Sequence, residues 1–152
     1  MKAHTLYGED LEIGESFYSD AMTVTEAHVV TFAGLSGDMN PLHMDRHWAE
    51  TQGPYGERIA HGVLGLTIAS GLRCKLDDLA LIGFLGINDW RFRKPIKFGD
   101  TIRCWMTLAE LTATSKPGRS LLNVAVEVHD QHDEVIQSGT WVMMVLDHPG
   151  AS

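Results

Sequence analysis

The clearest hydrophobic pattern lies at residues 61–74. Val63, Leu64, Leu66, Ile68, Ala69 and Leu72 cover almost every direction around a 3.6-residue turn, relieved only by Thr67, Ser70 and small glycines. A helix apolar on all sides is expected to be buried on all sides, and this one is too short to cross a bilayer. The pattern therefore predicts the central core helix of a globular domain. After Asp77-Asp78 the period changes to two. Ile82–Leu85 and Ile87–Phe92 carry aromatic and β-branched residues. Ile102, Cys104, Met106 and Leu108 then alternate with Thr101, Arg103, Trp105 and Thr107. Leu122, Val124, Val126 and Val128 alternate in turn, and Val135–Leu146 closes the series. Lys94-Pro95, Phe98-Gly99-Asp100, Lys116-Pro117-Gly118 and Asp130–Glu134 read as turns between them, so the last three strands should form an antiparallel meander.

The first third of the chain is more mixed. Residues 8–14 read as a polar turn with Leu11 and Ile13 inward, followed by a strand from Ser16 to Val24. Thr25 is a good N-cap, with Glu26 where the helix dipole favours negative charge, for a short helix through Ala33 that Gly34 and Gly37 end. Asp45 caps a second short helix, Arg46 to Thr51, closed by Gly53-Pro54. The sum is an α+β domain in which an antiparallel sheet wraps one central buried helix. One helix cannot cover five strands on both faces, so a homodimer that extends the sheet is expected.

Composition narrows this picture. At 152 residues, with 44% hydrophobic and 21% charged residues, the chain is expected to be one domain, residues 1–152, with a core of its own. A formal charge of −8 argues against nucleic acid. The one basic cluster is Arg91, Arg93, Lys94 and Lys97, which suits either a phosphate or a solvated strand end. Cys74 and Cys104 alone make no disulfide framework, which points to a reducing compartment. Met1-Lys2-Ala3-His4 leads into acidic residues without an apolar run, and no stretch suits a membrane span, so a cytoplasmic protein is expected.

The candidate chemistry sits in Ser36-Gly37-Asp38-Met39-Asn40-Pro41-Leu42-His43-Met44-Asp45. Pro41 disfavours helical geometry at Asn40, so an extended or turned path is expected there. Such a path can bring Asp38 and His43 to one cavity, where an imidazole and a carboxylate suit acid–base work on water. The same residue types also serve plain turns, and both readings stand on spacing alone. Gly62 opens the buried helix, where backbone N–H groups lack partners, and without a side chain it would let a carbonyl oxygen approach them. No metal site is expected: His43 and His47 are not aligned on a helix, and His129 and His132 flank a turn without a third ligand.

Phe32-Ala33-Gly34-Leu35-Ser36-Gly37-Asp38-Met39-Asn40-Pro41-Leu42-His43-Met44-Asp45 resembles the hydratase motif of the MaoC-like, hotdog-fold dehydratases, which include (R)-specific enoyl-CoA hydratases. Ala60-His61-Gly62 and Lys94-Pro95 with Phe98-Gly99-Asp100-Thr101 follow in the expected order. The resemblance implies a hotdog fold and reversible addition of water to a trans-2-enoyl thioester. It implies Asp38 and His43 as the water-activating pair and the Gly62 N–H as holder of the thioester oxygen. Asn40 matches the motif amide, and Thr67 falls where some members have a site serine. His61, Arg91 and Arg93 join them as substrate-binding candidates. Coenzyme A or the phosphopantetheine of an acyl carrier would be part of the substrate, and no separate cofactor is implied. A homodimer, or a trimer of dimers, is the implied assembly. A hotdog thioesterase and a non-catalytic acyl-thioester-binding subunit are the competing readings.

Overall fold

The computed structural model describes residues 5–149; the polar start Met1 to His4 lies outside them. The elements in order are β1 (Ser16–Thr23), α1 (Glu26–Ser36), α2 (Pro41–Met44), α3 (Arg46–Thr51), α4 (Gly62–Gly71), β2 (Leu81–Phe92), β3 (Thr101–Ala113), β4 (Arg119–His129) and β5 (Val135–Leu146). Short 3-10 turns at Gly8–Asp10 and Lys75–Asp78 complete the set.

The period-two stretches form what they predict. On β3, Ile102, Cys104, Met106 and Leu108 are all buried, and on β4 so are Leu122, Val124, Val126 and Val128. Successive side chains of a strand face opposite sides, so each run presents one continuous apolar face. The five strands make one antiparallel sheet in the order β1-β3-β4-β5-β2, with β3, β4 and β5 as the expected meander. Leu64, Ile68 and Ala69 of α4 join the inward strand residues in one core. A sheet around a central helix is the α+β hotdog arrangement that the resemblance implies.

Several elements differ from the sequence reading. α4 is not buried on all sides: Val63 is 53% exposed, and Thr67 and Ser70 are exposed on the same face. The sheet covers one side of the helix, and apolar composition alone does not say what covers the other. The helix also stops at Gly71 rather than running on to residue 74. α1 passes through Gly34 and ends only at Gly37, whose φ of 78° needs a residue free of Cβ strain. Ile13 is exposed rather than turned inward. The two apolar runs near residue 85 belong to one strand, β2, with irregular register against β5.

β2 is an edge strand, and Leu81, Ile82, Phe84, Leu85, Ile87 and Phe92 along it are all exposed. Among the described residues no helix is long and apolar enough to cross a membrane.

Candidate active site

A chain of side-chain to backbone bonds shapes the loop after α1. The Ser36 hydroxyl donates to the Phe32 carbonyl at 2.8 Å and accepts from the Asp38 N–H at 3.2 Å. Asp38 Oδ1 accepts from the Asn40 N–H at 3.2 Å, and Asn40 Oδ1 accepts from the Leu42 N–H at 3.0 Å. Asn40 is thus the N-cap of α2, and Pro41 occupies its first position. Pro41 was expected to keep this stretch out of helix, and the structure corrects that. Its fixed φ suits N1, where no N–H is needed, and only Asn40 before it is held extended, at φ −53° and ψ 133°. The single turn of α2 carries His43 back toward Asp38.

His43 is half-buried, and its Nδ1–H donates to the Ile59 carbonyl at 2.7 Å. A carbonyl only accepts, so this bond places the proton of the neutral ring on Nδ1 and leaves Nε2 with its lone pair free to take a proton. His61 lies directly behind, 3% exposed, with ring centroids 3.9 Å apart and planes inclined by 32°. Its Nε2–H donates to the main-chain carbonyl of Asp38 at 3.0 Å, and its Nδ1 is buried without a partner. The Asp38 carboxylate is half-exposed, its Oδ2 3.9 Å from His61 Nε2. One donor atom from each of Asp38, His43 and His61 lies within 4.8 Å of the others, which is spacing suited to a metal ion.

A cavity of about 360 Å³ opens beside His43, lined among others by Gly62, Val63, Phe92, Arg93 and Gln137. Gly62 is the first residue of α4, so its N–H has no intrahelical acceptor. A Cβ at Gly62 would stand 2.9 Å from Phe92 Cδ1, so the missing side chain makes room for the Phe92 ring. The sequence reading had assigned that space to a carbonyl oxygen.

The remaining sequence candidates separate. Arg93 lines the cavity, and its Nε donates to Ser138 Oγ at 2.9 Å. Arg91 does not line it and points its guanidinium back to the Trp90 carbonyl at 3.4 Å. Thr67 is exposed on the open face of α4, its hydroxyl donating to the Val63 carbonyl at 2.8 Å, and it does not line the cavity. His61 does not line the cavity either; it supports the loop from inside.

The sequence reading missed Gln137. It is 1% exposed, and its Nε2 donates to the Gly62 carbonyl at 2.9 Å. A signal was present: on β5, Gln137 shares the inward period with Trp141, Met143 and Val145, so a polar group was due in the core. Neither cysteine offers a reactive thiolate. Burial pushes the Cys104 thiol up to about 12, and burial also raises Cys74.

Comparison with known proteins adds to this geometry. The family model described as the MaoC like domain matches residues 10–132. "Protein MaoC" of Klebsiella aerogenes is 37% identical over 106 residues, 70% of this chain but 31% of that protein, so the chain spans under a third of it. The 3-hydroxybutyryl-CoA dehydratase of Methylorubrum extorquens is 31% identical over 143 residues, 92% of this chain and 84% of that one. The (R)-specific enoyl-CoA hydratase of Rhodospirillum rubrum is 35% identical over 112 residues, 72% of this chain and 74% of that one. A solved structure described as a monoamine oxidase regulatory protein from Archaeoglobus fulgidus superposes with a TM-score of 0.87 at 30% identity. That match covers 98% of this chain and all of the other.

Proposed function

The chain belongs to the MaoC-like domain family, and from that premise we propose that it adds water reversibly to a trans-2-enoyl thioester, giving the (R)-3-hydroxyacyl thioester. The observation that carries this reading is His43. Its Nδ1 is tied to the Ile59 carbonyl, which leaves Nε2 as the base, with the Asp38 carboxylate alongside and the cavity in front. Asp38 and His43 hold one water between them. His43 Nε2 takes a proton from it as the oxygen bonds to C3 of the substrate. The electron pair of the double bond moves toward C2 and the thioester carbonyl, whose oxygen gains negative charge. The N–H at Gly62 and the positive end of α4 stabilise that charge. The proton held by the pair then passes to C2, which balances the addition of one water and returns the pair to its starting state.

Asn40 holds the turn that presents His43, through its cap on α2. Arg93 and Lys94, both at the cavity wall, are the basic side chains of the cluster placed for a phosphate of coenzyme A or phosphopantetheine. The reading takes residues 1–152 as one domain of this family and needs no cofactor beyond the group the substrate itself carries. The exposed apolar edge of β2 favours a homodimer, because Phe92 belongs both to that edge and to the cavity wall.

The decisive measurement is the loss of enoyl absorbance when crotonyl-CoA is mixed with the protein, followed by chiral analysis of the product. Release of free thiol without hydration would replace this reading with a thioesterase. Binding without either reaction would leave a non-catalytic carrier of acyl thioesters.

A further inference from the structure

We propose that Gln137 is a positioning residue for the oxyanion-holding start of α4, and that Trp90 fixes the direction of its amide. The inference rests on the reaction proposed above and deepens it.

Glycine at position 62 loosens the backbone torsions at the first residue of α4, because a residue without Cβ has the widest choice of backbone angles. Catalysis by a backbone N–H needs the opposite, a donor already aimed where charge will develop. The Gln137 Nε2 bond to the Gly62 carbonyl, 2.9 Å long, fixes the peptide plane on the far side of the Gly62 Cα, while the carbonyl of the plane that carries the Gly62 N–H accepts from the Gly65 N–H at 3.3 Å. A primary amide can turn over and present its oxygen instead, and that would set two carbonyl oxygens against each other. Trp90 removes this ambiguity. Its Nε1–H is a donor only and lies 3.2 Å from Gln137 Oε1, so the NH2 group must face Gly62.

Trp90 in turn is held by an irregularity in β2. The register against β5 shifts between Asn88 and Arg91, and Asp89 adopts a φ of 53°. Opposite stands Gly139, where a Cβ would lie 2.7 Å from Trp90 Cε3 and 2.9 Å from the Asn88 carbonyl oxygen. A side chain at Gly65 would overlap Gln137 Nε2 itself. A strand irregularity, two glycines and an indole therefore converge on one buried amide whose bond ends on the first residue of α4. A glutamine needed only to fill the core would be replaced by an apolar side chain at lower desolvation cost.

The test uses crotonyl-CoA hydration by the whole chain. Gln137→Glu keeps the acceptor for Trp90 and the shape of the side chain, but its carboxylate cannot donate to Gly62. Its kcat is expected to fall about tenfold or more with KM changed by less than about twofold, since misplacing a donor costs the transition state more than binding. Activity should recover as pH is lowered and the carboxyl takes up a proton that it can donate, a pH response the wild type does not show. Trp90→Phe, which frees the amide to turn over, should lower kcat in the same direction by a smaller factor. A folded Gln137→Glu protein with wild-type kcat overturns the proposal. If that variant does not fold, full kcat in Trp90→Phe overturns it. A wild-type chain that hydrates no enoyl-CoA fails the proposed reaction itself, and this inference falls with it.

Discussion

His43 and His61 face each other with ring centroids 3.9 Å apart, one bonded to the Ile59 carbonyl and the other to the Asp38 carbonyl. His61 holds the loop through its bond to the Asp38 carbonyl and does not line the cavity. Replacing it should disturb the loop as a whole, whereas replacing His43 should remove one step of the proposed reaction.

The first expectation concerns that step. His43→Ala and Asp38→Asn should each lower kcat for crotonyl-CoA by about two to four orders of magnitude, the usual cost of losing an acid–base group. Both side chains are at least partly exposed, so the melting temperature should move little. Wild-type turnover in both variants would remove them from the mechanism.

Asn40 acts one step earlier. Asn40→Ala deletes the cap that accepts from the Leu42 N–H, at a cost of about 1 kcal/mol in local stability. The effect should be read in kcat, as α2 frays and His43 loses its fixed direction. Asn40→Asp keeps an accepting oxygen and should restore most of the loss; equal damage in the two variants would argue for another role.

Gly62→Ala should push against the Phe92 ring, since the new Cβ would stand 2.9 Å from it. Phe92 is half-exposed and can swing away, so the protein should fold while the cavity wall moves and KM rises. Because the two residues share the contact, Gly62→Ala and Phe92→Ala should be non-additive in a double-mutant cycle, by about 1 kcal/mol. Additivity would mean that the ring does not constrain the start of α4.

Cys104 provides a check on the core through pH. Its thiol is held neutral by burial to about 12, against an ordinary value near 9.0. Between those two values the unfolded chain loses a proton that the folded chain keeps, so stability falls as pH rises through this window and is unaffected by Cys104 below it. The slope from this one group is at most about 1.4 kcal/mol per pH unit. In denaturant titrations at alkaline pH, Cys104→Ala should show a shallower fall than wild type; parallel curves would contradict the burial of the thiol.

The β2 edge calls for a measurement of mass. Sedimentation of the wild type should give twice the chain mass, and Leu85→Glu combined with Ile87→Glu should shift it toward the single chain. A wild type that sediments at the single-chain mass would dismiss the sheet-extending homodimer.

The sheet was largely legible because alternation is geometry: Ile102 to Leu108 and Leu122 to Val128 have one face to bury and no second way to do it. The open face of α4 was not legible, because Val63 reads as apolar whether or not anything covers it. Pro41 misled for a related reason. Proline breaks a helix interior and starts a helix equally well, and only the Asn40 cap distinguishes the two. The proximity of Asp38 and His43 could be read because they lie close in sequence, although only His43 lines the cavity. His61 was assigned to substrate as part of the Ala60-His61-Gly62 segment of the resemblance, whereas its ring bonds to the Asp38 carbonyl and does not line the cavity. Gln137 escaped because what it touches lies far back along the chain.

That separation, 75 residues between Gly62 and Gln137, has a consequence for how the protein is made. During synthesis Asp38, His43 and the whole of α4 emerge well before β5. A nascent chain can hold the proposed acid–base pair and the Gly62 N–H and still lack the strand that aims that N–H. Competence for turnover would then arrive late and all at once, with the closing of β5 between β4 and β2, so partly folded forms would be silent in the assay rather than weakly active.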